Sequence, residues 1–180
     1  MNSLMSKLII RLPPIAKLKY SSRTALIYPM ISSKELWKKE LLVIAHSLLR
    51  RLAQTKWSDK SIYRLEKELF VGFFSVRKLI ESKAISANVT SKKFSLMHFP
   101  AWKQSATSNR NHLLYNQTPE QRKYHLTIRQ ISNLFIHSYH VLPFGGNGML
   151  CGFFVTSEFE RKNGIFLILI FDIVTIFRLC

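Results

Sequence analysis

The chain has 180 residues, 47% of them hydrophobic, with 27 Lys and Arg against 10 Asp and Glu, a formal net charge of +17. That length fits one domain of ordinary size, and 13 Phe among many Leu and Ile exclude a wholly disordered chain. Two cysteines, Cys151 and Cys180, exclude a disulfide framework.

Residues 1–31 carry five Lys or Arg, no acid, and Pro13, Pro14 and Pro29, without a sustained period. They read as an extended basic arm ahead of a single α+β domain over 32–180. Leu8-Ile9-Ile10 is cut by Arg11 and the Pro pair before it reaches the length of a secretory core, and the same prolines interrupt the helix a mitochondrial leader needs.

Ser32 with Glu35 has capping-box spacing and starts a first helix, in which Trp37, Leu41, Ile44 and Leu48 form an apolar stripe and which ends near 54–56. Ser58 or Asp59 caps a second helix. There Ile62, Leu65, Leu69, Phe73, Val76 and Ile80 keep the helical period, and Phe70 and Phe74 widen its apolar face. Trp57 marks the tight link of an antiparallel hairpin.

Lys93–Phe99 alternates and reads as a strand closed by Pro100, with Phe94, Leu96 and His98 on one face. Residues 101–117 read as a polar loop and Thr118-Pro119-Glu120-Gln121 as a helix start. Thr127 with Gln130 opens a third main helix whose face is Ile128, Ile131, Phe135 and Tyr139. Val141–Phe144 and Met149–Thr156 flank Gly145-Gly146-Asn147-Gly148, a hairpin signal. Ile165–Phe171 reads as a buried strand and Asp172–Leu179 as a short helix capped by Asp172. A membrane tail over Gly164–Cys180 stays open as the alternative, although a span takes about 20 apolar residues and a central Asp costs about 2.5–3.5 kcal/mol. The expected fold class is α+β: an N-terminal helical hairpin plus a third helix packed on a small, mostly antiparallel sheet.

Catalytic signals are few. The six His lack the close pairs of a zinc site; His137 and His140 come nearest, and no metal or other cofactor is expected. His137 reads as a solvated polar-face residue before it reads as a general base. Ten acids with no paired motif speak against glycosidase or two-metal hydrolytic chemistry. Cys151 reads as a packed thiol, and the glycine run lacks the Lys and helix of a phosphate-binding loop.

The charge is the stronger signal, because all of the net +17 lies before residue 131. From Lys92 to Arg129 the chain holds Lys92, Lys93, Lys103, Arg110, Arg122, Lys123 and Arg129, interleaved with Trp102, Tyr115 and Tyr124. The outer faces of the hairpin helices add Lys39, Arg50, Lys60, Arg64 and Lys67. Cations along a groove with aromatic platforms hold single-stranded nucleic acid. The expected contacts are Lys60, Arg64, Lys67, Lys92, Lys93, Lys103 and Arg110, in a non-enzymatic intracellular protein that binds nucleic acid or another polyanion such as an acidic protein. The alternative is an accessory protein that packs against a protein partner, its charge serving solubility alone.

Leu65-Glu66-Lys67-Glu68-Leu69-Phe70, Ser75–Lys83, Tyr20-Ser21-Ser22-Arg23 and Ile136-His137-Ser138-Tyr139 resemble a family of uncharacterised bacterial proteins. The resemblance implies a bacterial, cytoplasmic, single-domain protein. It brings no activity, cofactor or site residue with it.

Overall fold

The computed structural model describes residues 34–100, 121–146, 149–160 and 163–180. The expected arm, the polar loop, the Ser32 cap and Thr118–Glu120 lie outside the described residues.

Helix α1 (Lys34–Arg51) buries Leu41, Ile44, Ala45 and Leu48, the stripe its spacing predicts. At α2 (Asp59–Glu81) the Ser58 hydroxyl accepts the Ser61 amide, and the Ser61 hydroxyl accepts the Ser58 amide at 2.8 Å. That reciprocal cap satisfies two amides which a helix start otherwise leaves open. Between the helices the Trp57 indole donates to the Gln54 carbonyl at 3.0 Å. Arg51 forks onto Glu68 at 2.9 and 3.2 Å, and Ser47 donates to the same carboxylate at 3.0 Å, which clasps α1 to α2. The apolar face of α2 widens through Gly72, Leu79 and the back-bonded Ser75, not through Phe74. Phe74 is 45% exposed, edge-on to Trp37 and beneath the Lys78 ammonium.

A short α3 (Ala87–Thr90), capped by Ser86, leads into β1 (Lys93–Pro100). Residues Arg122–Thr127 form β2, antiparallel to β1, where the sequence suggested a helix running on from Thr118. The helix signal was local; the pairing of His98 with Arg122 through Lys93 with Thr127 is not, and a strand edge wins over a weak cap. Thr127 then caps α4 (Ile128–Ile136), accepting the Gln130 amide while the Gln130 side chain accepts the Thr127 amide at 2.9 Å. The helix stops at its C-cap, His137, so Tyr139 leaves the expected helical face and stands exposed in β3 (Ser138–Gly146).

Strand β4 (Met149–Ser157) pairs antiparallel with β3, Gly146 opposite Met149. Strand β5 (Gly164–Leu169) ends two residues before the expected boundary, and α5 (Ile170–Leu179) begins there. Leu169, not Asp172, is the N-cap; Asp172 sits in the first turn and accepts a backbone hydrogen bond from Leu169. No helix among the described residues is long and apolar enough to cross a membrane.

The five strands form one antiparallel sheet in the order β2-β1-β5-β4-β3. The α+β class with helices on an antiparallel sheet is the one the sequence predicts. Helices α4 and α5 pack on the sheet; α1 packs on α2 and α5, and α2 also on α4. The hairpin is thus an outer layer over two middle helices. Phe73 joins the layers, stacked on Phe135 at 4.0 Å and edge-on to Phe177 at 5.0 Å. Gly72 lets α5 approach, since a Cβ there would run into the Phe177 ring. Phe99, Phe154, Ile165 and Leu167 form a second apolar cluster on the opposite face of the sheet.

Candidate nucleic-acid interface

On α2 the residues Lys60, Arg64 and Lys67 recur at i, i+4 and i+7, which puts them on one ridge. All three are exposed, on the side away from Leu65, Leu69 and Phe73. Among the described residues no ion pair takes up these three cations; Glu68 is held by Arg51 and Glu81 by Arg77 and Lys78. Tyr63 stands on the same ridge, 64% exposed. The sequence reading missed this aromatic because it stands outside the Lys92–Arg129 stretch. Its helical spacing from Lys60 and Lys67 was the signal.

A second basic group lies at the sheet edge. Pairing of Lys93 with Thr127, Ser95 with His125 and Met97 with Lys123 sets Lys93, His125 and Lys123 on one face of the β1–β2 ribbon. All three are exposed, as are Lys92 before them and Arg129 in the first turn of α4. The Lys92 ammonium lies 6.0 Å from the Phe94 ring. Tyr124 pairs with Leu96 and so faces the other way, edge-on to His98. Lys103, Arg110, Trp102 and Tyr115 lie outside the described residues.

The two groups stand toward opposite ends of α2. Lys67 is about 20 Å along the helix axis from Glu81 at about 1.5 Å per residue. Helix α4 runs antiparallel to α2, since Phe135 stacks on Phe73 and Asn133 accepts from Arg77 at 2.8 Å. That direction carries Thr127, and with it Lys93, to the C-terminal end of α2.

His98 is the buried titratable side chain beside the sheet-edge group. It is 4% exposed between Phe166 and Tyr124, and its Nδ1 has no hydrogen-bond partner. Burial pushes its pKa below the usual imidazole value; Glu160 opposes this shift and Arg122 adds to it. Gly164, at φ +146, is required beside it, because a Cβ there would meet the Phe99 carbonyl and the His98 ring.

The other reactive residues are scattered. His137 caps α4 and is exposed, while His140 lies in β3. Among the described residues no three His, Cys, Asp or Glu converge. Cys151 is half-buried, its Sγ 3.8 Å from the Met149 carbonyl. Burial pushes the Cys180 thiol up to about 12, with Lys38 opposing. Burial also raises Asp172, against the pull of the Leu169 hydrogen bond. No family model, curated protein or solved structure matches the chain.

Proposed function

We propose that the chain binds nucleic acid without reading its sequence, by way of the α2 ridge and the sheet-edge group. The observation that carries this is the ridge itself: Lys60, Arg64 and Lys67 are exposed and outside any ion pair among the described residues, with an exposed Tyr63 beside them. Phosphates attract the cations and release counterions, while an open aromatic ring gives an unpaired base a stacking platform. Contacts of this kind position a strand and carry no sequence information. Lys92, Lys93, Lys123 and His125 extend the same chemistry at the other end of α2; Lys103 and Arg110 belong to the proposed contact set through their sequence position. A cytoplasmic location and a non-enzymatic role go with this reading.

Titration of labelled single-stranded and duplex oligonucleotides at several salt concentrations tests it. With about four phosphates neutralised on a single strand, log K falls against log salt with a slope near −3, and dissociation constants at physiological salt are about micromolar or weaker. The triple change Lys60→Glu, Arg64→Glu and Lys67→Glu weakens binding about equally for all sequences and flattens the slope. Absence of binding at low salt would overturn the proposal and leave the protein-partner reading ahead.

A further inference from the structure

Helix α1 carries a surface that lies outside the proposed set of nucleic-acid contacts. Leu42 and Val43 are 50% and 55% exposed near the middle of the helix, although both are aliphatic. They line a shallow depression with Lys39, His46 and Arg50. At 100° per residue the three basic side chains run along the outermost line of α1, with Leu42 on one flank and Val43 on the other. The opposite side of the helix is already committed, through Leu41, Ile44, Ala45 and Leu48, to the core. Glu35 and Glu40 are the acids of α1, and both precede Leu41, so the stretch from Leu42 to Arg51 holds no acid.

Apolar side chains flanking cations satisfy an anionic lipid surface. The aliphatic groups enter the boundary between headgroups and acyl chains, and the long Lys and Arg stems let their charges stay among the phosphates. A nucleic acid would gain little from Leu42 and Val43, which have neither a ring to stack nor a group to hydrogen-bond. A symmetric contact between two copies would set the cations of one ridge against those of the other, Lys39 toward the second copy's Arg50 and the reverse. We propose that the α1 ridge docks the protein reversibly on an anionic membrane surface, with Leu42 and Val43 as the inserted pair and Lys39 and Arg50 as the headgroup contacts. No spanning segment is required for this mode of attachment.

Co-sedimentation of the full chain with vesicles tests the proposal, comparing pure phosphatidylcholine with three parts phosphatidylcholine to one part phosphatidylglycerol. The protein sediments with the anionic vesicles and stays in the supernatant with the neutral ones. Leu42→Gln with Val43→Gln lowers partitioning roughly tenfold, with an unchanged unfolding midpoint and unchanged oligonucleotide affinity. Lys39→Glu with Arg50→Glu abolishes sedimentation. Equal partitioning of the Leu42→Gln/Val43→Gln variant and the unaltered chain would overturn the proposal, since adsorption would then come from the general positive charge. So would absence of sedimentation with anionic vesicles, or equal sedimentation with neutral ones. Vesicle binding lost only in the Lys60→Glu/Arg64→Glu/Lys67→Glu variant would also overturn it, and would assign the lipid contact to the α2 ridge.

Discussion

His98 shows how one residue couples the sheet edge to pH. It alternates with Phe94 and Leu96, so the period of β1 sends it inward, and its pairing opposite Phe166 seals it among rings. An unsatisfied buried nitrogen costs about 1–3 kcal/mol. The folded pKa lies below the 6.5 of an ordinary imidazole, so the unfolded chain takes up a proton first as the pH falls. The stability associated with neutral His98 is therefore full above about pH 6.5 and is lost as the pH falls through the lower folded value. Urea unfolding at about pH 7.5 and about pH 5.5 should show the loss. His98→Phe keeps the ring between Tyr124 and Phe166 and removes both nitrogens, so it should flatten this pH dependence. An unchanged slope in that variant would place the titration elsewhere.

Among the elements, α2 was the most legible and β2 the least. The 3-4 spacing from Ile62 to Ile80 identifies a helix without any knowledge of its neighbours, because the helical period and the burial pattern repeat the same information over several turns; its first member, Ile62, is exposed, and burial begins at Leu65. Phe73 was expected in the core, and it is fully buried between α4 and α5. Phe73→Ala should cost about 3–5 kcal/mol, a large share of the roughly 5–15 kcal/mol that holds a typical domain folded, because the cavity would open where three helices meet and none can close it alone. Chemical denaturation measures this, and a loss under about 1 kcal/mol would mean that the site collapses freely. Strand β2 had no such redundancy. Arg122–Thr127 is exposed at four of six positions, so its alternation carries almost no hydrophobic signal, and only its register with β1 defines it. The early end of α4 and the early start of α5 follow the same rule. Tyr139 and Phe171 are large and apolar, and their spacing extended one period too far; both are exposed where the chain changes element. The candidate interface was legible at Lys60, Arg64 and Lys67, where helix period alone sets the face. At Lys93 the partners Lys123 and His125 emerge only from strand pairing.

At the scale of the whole molecule, charge works against the fold. The chain carries +17, yet the ion pairs among the described residues involve only the carboxylates of Glu68 and Glu81. Folding brings Lys60, Arg64 and Lys67 onto one ridge and Lys92, Lys93 and Lys123 to one edge, concentrating like charge that the unfolded chain spreads out. The exposed pairs at Glu81 are worth about 0–1 kcal/mol each, and the half-buried Arg51–Glu68 clasp is a single contact, so together they leave most of such self-repulsion in place. Salt screens repulsion over a Debye length of about 10 Å at 0.1 M and about 3 Å at 1 M. Added sodium chloride should therefore raise the thermal midpoint, steeply at low concentration and then more slowly. Equal osmolality of an uncharged solute serves as the control, since it leaves charge unscreened. Salt should act oppositely on ligand binding, weakening the contact with phosphates while strengthening the fold. A midpoint that falls with salt would mean that the paired carboxylates outweigh the unpaired cations, and the basic residues would then be too well compensated at the surface to hold a polyanion.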